Sequence, residues 1–328
     1  MRKRIVILFC ILCMLASSGC AYVKSGVLYT IYPIEYIIER LSDGAIQAKS
    51  IQNDVIVQAA SIVDDHEELL YTNAVLFHIG ELEPYISLHK DEIKESLIND
   101  VDLAILNTTY RFGRYTPIMV NGNQEFIEGD YYEGDVFKTI DTDELNLFLW
   151  LDPIAMLSMS KRINEQLCLL YPELQSQLNE NMKKLEADLI NLDAQYQALA
   201  KNLMDTSSHI KFVSMTASFG TWQKAYGFET YPIVLSKYGV FPTSEQLAII
   251  KQRIVADDVK YIVYEPNMTE DMVALFDELE SELGLTRVEL SNISSLTTAE
   301  ENDGKDYLSL MYENLSVLET MLIENGSE

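Results

Sequence analysis

The feature that most limits how this chain can fold is a single apolar stripe in its middle. Leu174, Leu178, Met182, Leu185, Leu189, Leu192, Tyr196, Leu199 and Leu203 follow one another at intervals of three and four residues. That is the period of one face of an α-helix. Pro172 lies near the start, where a missing N–H does no harm. About 30 residues at 1.5 Å each make a rod of roughly 45 Å. Such a rod is either a coiled coil or a strut lying across two bodies, and the flanking sequence favours the strut.

On the N-terminal side, strand-like and helix-like patterns alternate. Val27 to Tyr32 is β-type and meets Pro33. Ile34 to Leu41 is helical and stops near Gly44. Ala45 to Gln52 reads as a strand, Asp64 to Thr72 as a helix, and Ala74 to Ile79 as a strand ending at Gly80. Asp102 to Leu106 is another short apolar run. Tyr115 to Ile140, rich in Gly, Asn, Asp and Tyr, breaks the rhythm as a loop or hairpin excursion. On the C-terminal side, Ile210–Ser214, Tyr231–Leu235, Val259–Tyr264 and Arg287–Leu290 read as strands. Helical patterns fall at Ser244–Val255, Thr269–Leu283 and Asp306–Ile323. Alternation of this kind predicts parallel βαβ units. The expected fold class is therefore α/β, two lobes with parallel sheets joined by a long rigid helix. The expected spans are 1–19 for a leader, 20–170 for the first lobe, 171–205 for the linking helix and 206–328 for the second lobe. A chain of 328 residues, 48% hydrophobic, is long enough for two such bodies.

The first 19 residues stand apart from the fold. Arg2, Lys3 and Arg4 precede an apolar run from Ile5 to Leu15, too short to span a bilayer, and the pattern is that of a secretory signal. A small-residue patch then ends in Gly19 and Cys20. This resembles a bacterial lipobox, although Ser17 stands where leucine is usual, and it makes Cys20 the expected lipidation site. The expected location is extracytoplasmic, lipid-anchored to the outer face of the cell membrane. Of the four cysteines, Cys10 and Cys13 would leave with the signal and Cys20 would be acylated. Cys168 would remain alone, so no intrachain disulfide is expected.

The net charge is −27, and losing the three basic residues of the leader would make the remainder more negative still. Nucleic acid is excluded as a natural partner, because phosphate binding needs a basic surface. Most of these carboxylates are expected simply to be solvated, and the surface can gather cations only loosely.

The stretch NLFLWLDP, Asn146 to Pro153, looks like a site motif whose working residue is missing. Several other segments share its character. They are VLYTIYP (Val27–Pro33), GELEPY (Gly80–Tyr85), FVSMTASFG (Phe212–Gly220), PTSEQL (Pro242–Leu247) and DYLSLMYENL (Asp306–Leu315). In this order, around a central long helix, they resemble the zinc- and manganese-binding solute-binding lipoproteins of bacterial ABC importers. The resemblance covers nearly the whole mature chain and implies a periplasmic-binding-protein-like fold with a helical backbone. It also implies zinc or manganese as transported ligand, an ABC permease and ATPase as partners, membrane attachment through an N-terminal lipid, and a monomer.

The resemblance further implies four metal ligands, commonly histidines with one carboxylate, a donor set suited to borderline divalent ions. Carried over position by position, the histidine before W-L-D-P is here Phe148. The histidine of S-H-x-A-F-G is Thr216, and the carboxylate after the last strand is Ser291. Counting back without gaps from Gly80 places the first ligand at Val57. A gapped alternative places it at His66, within Asp64 to Glu67. Val57 and Phe148 offer no lone pair, and hydroxyls are weak neutral ligands, so the resemblance implies a degenerate metal site. Closed lobes would leave a small, apolar, lightly hydroxylated cleft, suited to a neutral organic ligand or a chelated metal, to which Glu265 could add one carboxylate. An empty cleft is equally compatible.

The histidines His66, His78, His89 and His209 are far apart in sequence and show no ligand spacing of the H-x-x-x-H kind. Surface or internally satisfied histidines are expected, with a weak cation site at the acidic helix start around His66 as the alternative. There is no G-x-S-x-G, no P-loop, no H-E-x-x-H and no Cys beside a His, so no enzyme is expected. Two functions stay open: a binding protein feeding an ABC importer, and a non-transport surface lipoprotein, adhesin-like or partner-binding, on the same scaffold.

Overall fold

The computed structural model describes residues 24–53, 57–105 and 107–325. The leader and Cys20 lie outside them. The first sheet is built from β1 (Val27–Tyr29), β2 (Ala48–Ser50), β3 (Val75–His78) and β4 (Asn99–Asp102), in the order β2-β1-β3-β4, all parallel. The crossovers carry α1 (Tyr32–Ser42), α2 (His66–Thr72), α3 (Pro84–Leu88) and α4 (Lys90–Glu95). The inner strands β1 and β3 are buried along their whole length, as parallel strands covered on both faces must be. The fourth strand lies ahead of the apolar run that suggested it. Register pairs Asp102 with His78, and Leu103 N–H still donates to His78 O at 2.8 Å. Asp102 Oδ1 then accepts from Gly80 N and Ala104 N, both at 2.8 Å, and turns the chain out of the sheet.

The excursion contains two short antiparallel ribbons. β5 (Tyr110–Arg111) pairs with β8 (Leu145–Asn146). Between them β6 (Arg114–Val120) and β7 (Asn123–Gly129) form a hairpin. Its turn is Asn121-Gly122, with φ of 52° and 80°, the left-handed pair that the twist of a two-residue hairpin demands. Although it precedes the long helix in sequence, this segment packs on the second lobe. Tyr131 and Tyr132 share a core with Val213, Met215 and Tyr231.

A helix missed in the sequence, α5 (Pro153–Leu170), follows W-L-D-P. Asp152 is its N-cap and accepts from Ile154 N at 2.8 Å and Ala155 N at 3.3 Å, while Pro153 occupies the first turn. The aspartate and proline that look like a stop are a helix start. Then α6 (Gln175–Thr206) runs for 32 residues. Its stripe from Leu178 to Leu203 is buried against α5, α1 and two helices of the second lobe, α7 (Gly220–Tyr226) and α11 (Tyr307–Asn325), while Leu174 at its head is only partly covered. The rod is the strut.

The second sheet comprises β9 (Lys211–Thr216), β10 (Glu229–Val234), β11 (Tyr261–Tyr264) and β12 (Thr286–Glu289), in the order β10-β9-β11-β12 and again all parallel. Pro232 is tolerated because β10 is an edge. The crossovers carry α7, α8 (Ser244–Ala256) and α9 (Glu270–Leu283), and the short α10 (Thr298–Asn302) follows β12. Val27 and Phe77 of one sheet and Phe212 and Val263 of the other belong to one apolar cluster with the stripe, so the strut joins two lobes into one core. No helix among the described residues is long and apolar enough to cross a membrane.

The hairpin is held to the second lobe by a buried charge cluster. Arg114 Nη2 donates to Glu229 (3.2 Å), Asp257 (2.9 Å) and the Tyr231 hydroxyl (2.9 Å). Tyr231 and the Arg253 Nε–H each donate to Asp257 at 2.7 Å. Burial alone would raise the Asp257 carboxyl, but these donors outweigh it and hold it at about 2, against an ordinary 3.8. The depressed pKa contributes stability in full above the ordinary value, and that contribution is lost as pH falls through the folded one. Thermal melts should therefore show a loss of stability between about pH 4 and about pH 2 that is smaller in Asp257→Asn. An equal acid slope in the variant would contradict this.

Candidate functional site

The two lobes meet at a seam organised around Trp150. After β8 the chain makes a tight turn at Phe148, whose N–H donates to Asn146 Oδ1 at 3.1 Å, and then one 3₁₀ turn over Leu149–Leu151. Trp150 is fully buried. Its indole N–H donates to the Asn292 carbonyl of the second lobe at 2.8 Å, and its own carbonyl accepts from Tyr307 Oη at 2.6 Å. The Trp222 indole closes on the Leu151 carbonyl at 2.8 Å. Tyr32 N–H, just past β1, donates to Ser294 O at 3.3 Å. The carboxyl-terminal ends of the first sheet's strands thus face the second lobe, the end at which open α/β sheets hold ligands.

The four positions that the sequence matches to metal ligands are all buried at or near this seam: Val57 is 2% exposed, Phe148 4%, Thr216 0% and Ser291 8%. Val57 and Phe148 belong to the main apolar core, and the Phe148 ring packs on Trp150 with centroids 5.2 Å apart. The turn carrying Val57 presses on the second lobe. At Gly239 (φ 68°) an added Cβ would meet Gln58 Cβ at 3.2 Å. Thr216 Oγ1 lies 3.2 Å from Glu265 Oε2 and 2.5 Å from Ser218 Oγ. Ser291 Oγ accepts from Ile293 N at 3.2 Å, and its backbone pairs with the Asn314 amide.

Glu265 is also fully buried, and its acceptor positions are filled from within. Oε1 accepts from Met215 N and Thr216 N, both at 3.2 Å. Oε2 accepts from Asn292 Nδ2 at 2.7 Å and from Thr216 Oγ1. Burial raises its pKa, opposed by the donors of Asn292, Thr216 and Met215. The carboxylate therefore braces β9 and the loop after β12, and does not reach into a cleft. Of the four positions, two are hydrocarbon, the Thr216 hydroxyl is engaged with Glu265 and Ser218, and the Ser291 hydroxyl accepts from Ile293 N. Space between the lobes exists elsewhere. A cavity of about 340 Å³ is lined by Thr30, Ser50 and Gln52 from one lobe and Ser294, Ser295 and Glu301 from the other, and none of the four positions lines it.

The fold brings together two histidines that look unrelated in sequence. His66 opens α2, His89 sits between α3 and α4, and Glu92 lies in the first turn of α4. Glu92 Oε2 is 3.0 Å from His66 Nε2 and 2.9 Å from His89 Nδ1, and the imidazole centroids are 4.7 Å apart. His89, then His66, hold the Glu92 carboxyl below its usual range. The acidic neighbours of His66 in sequence, Asp64, Asp65, Glu67 and Glu68, are not in this group. The only sequence signal was the local His89-x-x-Glu92 pair, since His66 arrives from 26 residues away. His78, by contrast, is satisfied inside the protein by Asp100 at 3.0 Å and the Gly80 carbonyl at 2.7 Å. His209 pairs with Glu229.

Residues 27–321 match the family described as ZnuA, zinc-uptake complex component A periplasmic. Among curated proteins, the chain is 26% identical over 241 residues to the high-affinity zinc uptake system protein ZnuA of Bacillus subtilis, covering 69% of this chain and 73% of that one. It is 21% identical over 337 residues to the zinc-binding lipoprotein AdcA of Streptococcus pneumoniae, covering 99% of this chain but only 62% of the relative. Among solved structures, the laminin-binding protein Lmb of Streptococcus agalactiae superposes with a TM-score of 0.70 at 17% identity, over 91% of this chain and 99% of that one. The periplasmic zinc-binding protein TroA of Treponema pallidum gives 0.70 at 16%, with the same coverage. Those two likenesses speak for the fold alone, and the match over residues 27–321 carries the classification. The chain belongs to the ZnuA family of zinc-uptake complex components.

Proposed function

We propose that this protein is the extracytoplasmic solute-binding component of an ABC importer of the zinc and manganese type, with an interlobe site that no longer holds a bare metal ion in the family manner. The observation that carries the second half is the state of the four ligand positions: Val57 and Phe148 packed in the core, Thr216 and Ser291 engaged internally. Family membership and the naming of the Bacillus subtilis relative as part of a zinc uptake system support the first half, including a permease and an ATPase as partners. The protein acts as a monomer without catalysis of its own. It is held to the outer face of the membrane through lipid on Cys20.

Titration calorimetry with zinc and manganese on the wild type and on Ser291→Ala tests the site. The expected result is identical isotherms for the two proteins, with no manganese binding. A zinc or manganese site that weakens tenfold in Ser291→Ala would overturn the degenerate-site reading. Stimulation of ATP hydrolysis by a co-expressed permease–ATPase pair tests the transport role. Lack of both stimulation and co-purification would favour a surface module outside transport.

A further inference from the structure

We infer that His66, His89 and Glu92 form a surface site for a zinc-like divalent ion, separate from the interlobe positions. The ligand atoms of the three side chains all lie within 4.8 Å of one another. Two imidazole nitrogens and a carboxylate oxygen form a donor set that zinc takes at about 2.0–2.2 Å, so closure needs only small rotations of partly exposed side chains.

The orientation of His66 is the second observation. Its Nδ1 lies 2.7 Å from the Val63 carbonyl, and a carbonyl can only accept, so Nδ1 carries the hydrogen. The other ring nitrogen, Nε2, faces Glu92 Oε2 at 3.0 Å. A backbone carbonyl fixing the far nitrogen of a histidine is also how metal-binding imidazoles are commonly oriented. Two short helices bring the groups together. α2 feeds β3 and α4 feeds β4, so both helix starts lie at the carboxyl end of the sheet, the end that faces the second lobe. Three protein ligands with Glu92 half exposed leave a fourth position open to solvent, the arrangement of an exchangeable site rather than a closed structural one.

The inference stands apart from the reading of the interlobe site, and one experiment separates them. The full-length chain is titrated with zinc against a chromophoric chelator, and with cobalt for its tetrahedral absorption band. One equivalent of zinc is expected, weakened at least about tenfold by His66→Gln, by His89→Gln and by the exposed Glu92→Gln, since even displacing the partners of metal ligands has effects of that size. Thr216→Val should leave it unchanged, and thermal melts of each variant monitor folding. No zinc binding, or binding retained by the His66→Gln/His89→Gln double variant, would overturn the inference. Binding lost in Thr216→Val but kept in the histidine variants would overturn both readings.

Discussion

Trp150→Ala should destabilise the protein by about 5 kcal/mol, a large fraction of the stability of an ordinary domain. Truncating a fully buried aromatic leaves a cavity worth about 3–5 kcal/mol. Here the ring also packs on Phe148, and its N–H is the partner of the Asn292 carbonyl across the seam. Leaving that buried acceptor unpaired adds about 1–3 kcal/mol, partly overlapping the first term. Trp150→Phe separates the two contributions. It keeps most of the volume, loses the donor, and should be destabilised by about 1–3 kcal/mol. Urea titrations of all three proteins provide the check. Equal midpoints for Trp150→Phe and wild type would mean that the bond to Asn292 contributes nothing, and that the seam is held by packing alone.

Glu265→Leu has the second largest expected effect, about 4 kcal/mol, because four donors converge on one carboxylate and the two buried backbone N–H groups of Met215 and Thr216 would be stranded. Glu265→Gln is the sharper experiment. If its oxygen keeps the two backbone N–H groups, its amide nitrogen must face Asn292 Nδ2. Asn292 cannot flip in response, because its Oδ1 already accepts from Asn267 Nδ2, Ser294 N and Ser294 Oγ. A destabilisation of about 1–3 kcal/mol is therefore expected from a change of one atom, with no change in zinc affinity. A variant with wild-type stability but weaker zinc binding would identify Glu265 as a ligand after all.

The relation between sequence and structure differs from one element to the next. The leucine stripe was legible because helical period is written into neighbouring residues. The strand–helix alternation was legible for the same reason. The fourth strand was misplaced because its residues, Asn99 to Asp102, carry one apolar side chain, Val101, and are recruited by pairing with β3. Helix α5 was missed because Asp152-Pro153 reads equally as a break or as a cap, and only the hydrogen bonds to Ile154 and Ala155 decide between them. At the site, residue identity alone showed that Val57 and Phe148 carry no lone pair and that Thr216 and Ser291 carry only hydroxyls. The expected hydroxylated cleft needed the placement of Glu265, Ser218 and Ile293 as well, and those partners occupy the hydroxyls.

Sequence alone thus determined the class of fold, the strut and which donor atoms Val57, Phe148, Thr216 and Ser291 carry. These follow from local periodicity and from the atoms each side chain carries. The tertiary structure decided three things the sequence could not. The hairpin of β6 and β7 docks on the lobe that follows it in the chain. The seam closes through Trp150 and Asn292. His66 reaches His89 and Glu92. Each depends on strand register and helix placement, which bring residues 26 to 143 positions apart within hydrogen-bonding distance. Such contacts leave no period in the chain, because what selects them is the burial of the whole apolar surface at once.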